Sequence, residues 1–185
     1  MKKKLSIIIT NYNNGKYISK CIKSIINQKK YFSKINLIII DDCSKDNSLE
    51  VIKKYLKFKN IKLIKNKKNL GLVKSCNKAI KSSKTEFIIR VDSDDYVSKN
   101  FIKYFIKYTN KNYHFIFSDY KIMTKNTFKN IKIKKFQELI SCSVAFKKNI
   151  FSKIGGYRNF LWEEYDFYLR YLDKTKKIKK INEYL

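Results

Sequence analysis

Two stretches decide the fold: Ile35-Asn36-Leu37-Ile38-Ile39-Ile40-Asp41-Asp42-Cys43-Ser44 and Phe87-Ile88-Ile89-Arg90-Val91-Asp92-Ser93-Asp94-Asp95. Each is a largely β-branched apolar run that ends in a cluster of acids. A short continuous run of this kind predicts a strand buried on both faces. A strand ending in acids delivers them together to one edge of a sheet. Acids gathered there hold a hard cation or bind hydroxyl groups of a ligand. With the segments around them, the two clusters point to an enzyme that handles a nucleotide diphosphate with a divalent metal.

Working outward, strand and helix signals alternate. Residues 5–10 form another apolar strand, and residues 16–27 carry Tyr17, Ile18, Cys21, Ile22, Ile25 and Ile26 at helical spacing. Asn47, with Glu50 three residues on, marks a helix start that Leu49, Ile52, Tyr55 and Leu56 continue. Residues 61–64 read as a short strand and 72–81 as a helix with Leu72, Cys76, Ala79 and Ile80 inward. This alternation predicts an α/β fold, with a mostly parallel central sheet and helices on both faces. Ligands of such sheets bind beyond the carboxyl ends of the strands. Thr10, Asp41-Asp42 and Asp92 to Asp95 all fall there.

The second half is less regular. Residues 98–108 predict a helix and 113–117 a strand, with His114 packed mid-strand. Residues 127–136 alternate weakly and fit a strand or a loop. Residues 141–146 are strand-like, 148–154 a short helix ended by Gly155-Gly156, and 162–172 a helix carrying Glu163, Glu164 and Asp166. Gly155-Gly156 lacks the spacing of a phosphate loop and reads as a helix end. The 185 residues fit one domain, large enough to bury about 70% of its unfolded surface.

The net charge is +28, with forty lysines against three arginines. Readers of nucleic acid rely on arginine for bidentate contacts, and these lysines are spread along the chain. A specific nucleic-acid partner is therefore not expected. The chain is also rich in Ile, Asn, Tyr and Phe and has no proline. That is the bias of an A/T-rich coding sequence, and attraction to an anionic membrane surface is the functional alternative. Met1-Lys2-Lys3-Lys4 resembles the start of a signal peptide, but the apolar run of residues 5–9 is too short for one. No run is long enough to span a bilayer. Four scattered cysteines, none at metal-ligand spacing, read as reduced thiols. The expected location is the cytoplasm, with peripheral contact at the inner face of a membrane.

Five stretches, in order, resemble the family-two nucleotide-sugar glycosyltransferases of GT-A fold. They are Ser6-Ile7-Ile8-Ile9-Thr10-Asn11-Tyr12-Asn13, Ile40-Asp41-Asp42-Cys43-Ser44-Lys45-Asp46, Asn69-Leu70-Gly71 with Asn77, Val91-Asp92-Ser93-Asp94-Asp95, and Gly155-Gly156-Tyr157 to Trp162-Glu163-Glu164-Tyr165-Asp166 with Leu169-Arg170. The resemblance implies a nucleotide-sugar donor, UDP-linked, and a glycan or lipid-linked acceptor. Residues 1–97 would be the donor half, and residues 98–185 the acceptor and catalytic-base half. Thr10, Asn11, Tyr12, Asp41, Asp42, Gly71, Lys74, Asn77, Asp92 and Asp95 would serve the donor. Asp94, with Asp92, would hold Mn²⁺ or Mg²⁺. Glu164, with Glu163 as alternative, would be the general base of an inverting transfer.

Three departures stand out. Glu164 occupies a position where the family more often has Asp. Cys76 replaces an Arg, leaving Lys74 as the substitute phosphate contact. The chain ends at Tyr184-Leu185, where many members continue, which predicts a minimal acceptor side. Each motif also has a bland reading: a solvated turn for Asp92 to Asp95, a helix cap for Asp41-Asp42, and a solvated helix start for Glu163-Glu164. Trp162 either closes over a ligand or packs.

Overall fold

A computed structural model describes residues 3–125 and 127–185; the charged start at Met1-Lys2 and Asn126 lie outside them. The first half builds β1 (Leu5–Asn11), α1 (Gly15–Ile26), α2 (Lys29–Phe32), β2 (Ile35–Asp41), α3 (Ser48–Lys53), β3 (Ile61–Lys65), α4 (Leu72–Ser82) and β4 (Phe87–Asp92). The second half builds α5 (Phe101–Thr109), β5 (Phe115–Thr124), β6 (Thr127–Ile131), β7 (Val144–Lys147), α6 (Lys148–Lys153), α7 (Glu163–Asp173) and β8 (Ile178–Tyr184).

One sheet runs in the order β3-β2-β1-β4-β7-β5-β6, with β8 beside β5. The first four strands pair in parallel, as the alternation of strand and helix predicts. The second half differs: β7 runs antiparallel to both β4 and β5, and β5 turns back on β6 as a hairpin. Strand β8 restores a parallel pairing at β5.

Alternation along each buried strand divides the core into two layers. Ile7, Ile9, Leu37, Ile39, Ile89 and Val91 face α1, α2, α3 and α5. Ile8, Ile38, Ile40 and Ile88 face α4, α6 and α7. Register then fixes the functional edge. Thr10 stands between Ile40 and Asp92, and Asn11 stands beside Asp41.

His114 sits one residue before β5, half-buried, with Nδ1 2.9 Å from Thr175 Oγ1, and is not mid-strand. Residues 141–143 form a 3₁₀ turn, and the strand begins only at Val144. The Gly155-Gly156 turn ends α6 in the left-handed region, at φ 84° and 74°. A β-carbon on Gly156 would lie 2.8 Å from both Asn77 Oδ1 and the Phe151 ring. Arg170 locks the turn from α7, donating 2.7 Å bonds to the Ile154 and Gly156 carbonyls. Gly156→Ala therefore combines an unfavourable φ with a steric overlap. It should lower stability by about 2–4 kcal/mol, read as a lower urea midpoint at unchanged slope.

Candidate active site

The carboxyl ends of β1, β2 and β4 form the floor of two adjoining cavities. A cleft of about 300 Å³ lies over β1 and β2, lined by Thr10, Asn11, Tyr12, Asp42, Gly71 and Leu72 among others. A larger cavity of about 660 Å³ opens on the other side, lined by Asp95, Ser141, Glu164 and the β5–β6 hairpin residues Tyr120, Ile122, Met123 and Phe128. Asp92 and Asp94 belong to both cavities.

Asp42 is buried and shapes the first cleft through the chain it holds. Its carboxylate accepts 2.7 Å from Asn66 Nδ2, 2.9 Å from the Leu70 N–H and 2.8 Å from the Gly71 N–H. Burial alone would raise its pKa, but these donors hold it below the usual carboxylate value. The loop before α4 is thereby pinned against the cleft, with Gly71 in the left-handed region at φ 82°. Tyr12 and Leu72, 44% exposed each, stand at the rim.

Three residues expected to serve the donor stand elsewhere. Asp41 is fully buried and accepts from Asn11 Nδ2 at 2.8 Å and from Ser44 Oγ and N–H at 2.6 and 3.0 Å. Asn77 staples α4 to Tyr157 by paired bonds of 2.9 and 3.1 Å to its backbone. Lys74 is exposed and does not line the cleft. Cys76 is buried under Arg90, and burial pushes its thiol up to about 12 despite that cation.

The second cavity is organised by Arg90, a residue that sequence reasoning passed over. It lies on β4, 3% exposed, on the face shared by Ile88 and Asp92. Its guanidinium donates to both Asp92 oxygens at 3.1 Å and to Glu163 at 3.0 Å, and it forms an ion pair with Glu164 at 2.6 Å. The Tyr157 ring lies 5.7 Å from its central carbon. Burial opposes the charge, but Asp92 and Glu164 keep Arg90 protonated above its ordinary value. Glu163 and Glu164 are thus not a solvated helix start; their side chains are 17% and 22% exposed and bound to Arg90. The available signal was a lone Arg inside an apolar strand run, two residues before an acid on the same face.

Asp92 is saturated by the protein. Beyond Arg90, Thr10 Oγ1 and Ser141 Oγ each donate to it at 3.2 Å. Asp94 is exposed at the junction of the two cavities. Asp95 lies beside it, and burial together with Asp92 and Asp94 pushes its carboxyl up to about 6. For Glu164, burial raises the pKa, Arg90 opposes, and Asp92 and Glu163 add to the rise. Five carboxylates around one guanidinium leave an excess of negative charge. Among the described residues no group of three or more His, Cys, Asp or Glu is placed to hold a metal ion by itself. An all-oxygen, open set of this kind fits a hard divalent cation that takes its remaining ligands from phosphates.

The glycosyl transferase family 2 model matches residues 6–171. The chain belongs to that family. Among similar proteins is the poly(ribitol-phosphate) beta-N-acetylglucosaminyltransferase TarS of Staphylococcus aureus, 36% identical over 101 residues, 54% of this chain and 18% of the relative. An uncharacterized glycosyltransferase of Mycoplasma genitalium, MG060, is 36% identical over 143 residues, 74% of this chain and 48% of that protein. The chain thus spans less than half the length of either. The crystal structure of S. aureus TarS 1-349 in complex with UDP-GlcNAc superposes with a TM-score of 0.85 at 22% identity, over 97% of this chain and 56% of that one. The mannosyltransferase PcManGT of Pyrobaculum calidifontis, in complex with GDP-Man and Mn²⁺, gives 0.79 at 12% identity, over 99% and 56%. The fold is GT-A. Among the described residues no helix is long and apolar enough to cross a membrane.

Two predictions follow from the charge arrangement. Arg90→Met leaves three part-buried carboxylates without their cation and should cost about 3–5 kcal/mol at neutral pH, measured by urea unfolding. Asp95 titrates in the opposite sense to Asp42. Its raised folded pKa means that the folded state keeps a proton the unfolded chain has released. Its contribution is present below the unfolded pKa of 3.8 and lost as pH rises through about 6. Thermal midpoints of the metal-free protein should therefore fall less between pH 4 and 6 in Asp95→Asn than in the parent.

Proposed function

We propose that the chain is the catalytic part of an inverting, metal-dependent glycosyltransferase. It would move a sugar from a nucleotide sugar, UDP-linked, to a hydroxyl of a glycan or lipid-linked acceptor. The observation that carries this reading is the wall shared by the two cavities: Asp92 and Asp94 face both, with Glu164 on the far side only. A donor lying in the smaller cleft would bring its anomeric carbon to that wall, and an acceptor would enter through the larger cavity. Residues 1–97 then act as the donor half and residues 98–185 as the acceptor half. Four free cysteines agree with a reducing, cytoplasmic setting.

In the donor cleft, Tyr12 and Leu72 at the rim suit the faces of a base, with Thr10, Asn11 and Asp42 below. Asp94 would hold the cation with Asp95 beside it, and Asp92, occupied by four donors, would reach it only through water. Mn²⁺ or Mg²⁺ bound there would offset the charge that builds on the leaving diphosphate.

Glu164 supplies the remaining chemistry. A sugar hydroxyl is too weak an acid to ionise near neutrality, so its proton must leave as the oxygen attacks the anomeric carbon. Glu164 takes that proton while the carbon–oxygen bond to the diphosphate breaks. One base opposite the leaving group makes a single displacement, and the configuration inverts. The raised pKa of Glu164 moves the carboxylate towards the working pH of a base. Arg90 holds it in place and opposes that rise.

Calorimetric titration of UDP and GDP, with Mn²⁺ and with EDTA, tests the donor side. One nucleotide should bind only with metal, and Asp94→Ala should abolish that binding. Glu164→Gln should cut turnover by roughly 10² to 10⁴ with donor binding nearly unchanged. Turnover that survives Glu164→Gln would remove Glu164 as base. Absence of nucleotide binding in a folded sample would leave a non-catalytic member of the fold.

A further inference from the structure

Three consecutive large apolar residues stand in water immediately before the helix that carries Glu163 and Glu164. Phe160 is 60% exposed, Leu161 89% and Trp162 73%. Apolar groups of this size gathered at one tip mark a contact surface. The tip is held in a defined shape. Trp162 is in the left-handed region at φ 69°, and its carbonyl accepts from the Tyr165 and Asp166 N–H groups at 3.0 and 3.2 Å. The Trp side chain is therefore presented outward by the first turn of α7 and is not a frayed end.

The surface that runs from this tip along α7 is cationic, reaching Lys174 at the far end of the helix, about 18 Å away at 1.5 Å per residue. Arg158, two residues before Phe160, lines a shallow depression with Lys153, Lys174 and the half-exposed Leu169. The acids of that surface already have cations. Asp166 is bound by Arg170, with Arg158 at 4.0 Å, and Asp173 lies 2.8 Å from Lys174. What the surface offers outward is positive charge around an aromatic and aliphatic point, on a chain of net charge +28.

We propose that the loop of residues 160–162 inserts into the headgroup region of an anionic bilayer, with Arg158, Lys153 and Lys174 facing the lipid phosphates. Tryptophan favours that boundary, where its ring is buried and its N–H stays wet. Long basic side chains beside an apolar insert lay their stems on the acyl boundary and keep their charge at the phosphates. Electrostatic attraction adds to the insertion and falls with salt. Binding itself does not depend on the proposed sugar transfer. Its consequence does: Glu164 follows Trp162 by two residues, so insertion would set the acceptor cavity at headgroup height, where a lipid-linked hydroxyl lies.

Trp162 is the only tryptophan in the chain, so its fluorescence reports this loop alone. The 185-residue protein would be titrated with phosphatidylcholine vesicles, with and without phosphatidylglycerol, at low and high salt. Co-sedimentation would be followed in parallel. The expected result is a blue shift and pelleting with the anionic vesicles only, both weakened by salt. The surface variant Phe160→Ser/Leu161→Ser, verified as folded by its melting curve, should bind the anionic vesicles about 10- to 100-fold more weakly. Pelleting with no emission shift, or unchanged by the variant, would mean that charge on another face binds, and would overturn the proposal. No association at low salt would overturn it too. So would a blue shift without vesicles that grows with protein concentration, which would give the tip to a second copy of the chain.

Discussion

The buried guanidinium of Arg90 is the interaction on which the larger cavity of this molecule depends. A charge in that position carries a large desolvation cost and persists only with well-placed partners. Arg90 has them from two distant parts of the chain: Asp92 on its own strand, and Glu163 and Glu164 at the start of α7. The fork geometry of an arginine satisfies all three in a way that the point charge of a lysine does not. One side chain therefore sets the conformation of Asp92, the approach of α7 to the sheet, and the position of Glu164.

The rest of the site is arranged around that tie. With Asp92 occupied by protein donors, Asp94 is the acid left free at the junction of the cavities. Cys76 fits beneath Arg90 as a small neutral filler; its thiol, pushed up to about 12, adds no charge. On the opposite side of the sheet edge, Asp42 does for the smaller cleft what Arg90 does for Glu164. It accepts three hydrogen bonds and so fixes the loop leading into α4. Rigid walls cost no reorganisation when a ligand arrives.

The first half of the fold was legible because its signals are local. β1, β2 and β4 are largely apolar runs that end in polar residues, and register carries those ends together. The second half was less so. β6 is exposed along nearly its whole length, so residues 127–131 have no buried face to imprint a period. β8 went unrecognised for a similar reason: only Ile181 in it is buried, among lysines. The antiparallel turn at β7 depends on four residues whose partners are far away in sequence. At the site, acid clusters and glycines announce themselves by composition. Whether an acid faces a ligand or the interior depends on tertiary hydrogen bonds, which is why Asp41 and Asn77 turn out to be spent on the scaffold. Arg90 sat in plain view within a strand, its meaning supplied only by a helix more than seventy residues later.

The fastening of α7 differs sharply from the freedom of the hairpin opposite. The helix is tied at its start by Arg90. It is tied along its length by Arg170 to the glycine turn, and by Tyr171, whose hydroxyl bonds to the backbone of His114 and Lys147. The β5–β6 hairpin facing it across the cavity leaves Ile122, Met123 and Phe128 about half exposed, and Met123 is held there by a single 3.1 Å bond from the Tyr96 hydroxyl. A molecule built this way separates what must stay constant from what can vary. If the proposed function holds, residues of the hairpin can be exchanged to suit a different recipient while Glu164 keeps its place, so diversification of such chains would run through one wall of one cavity.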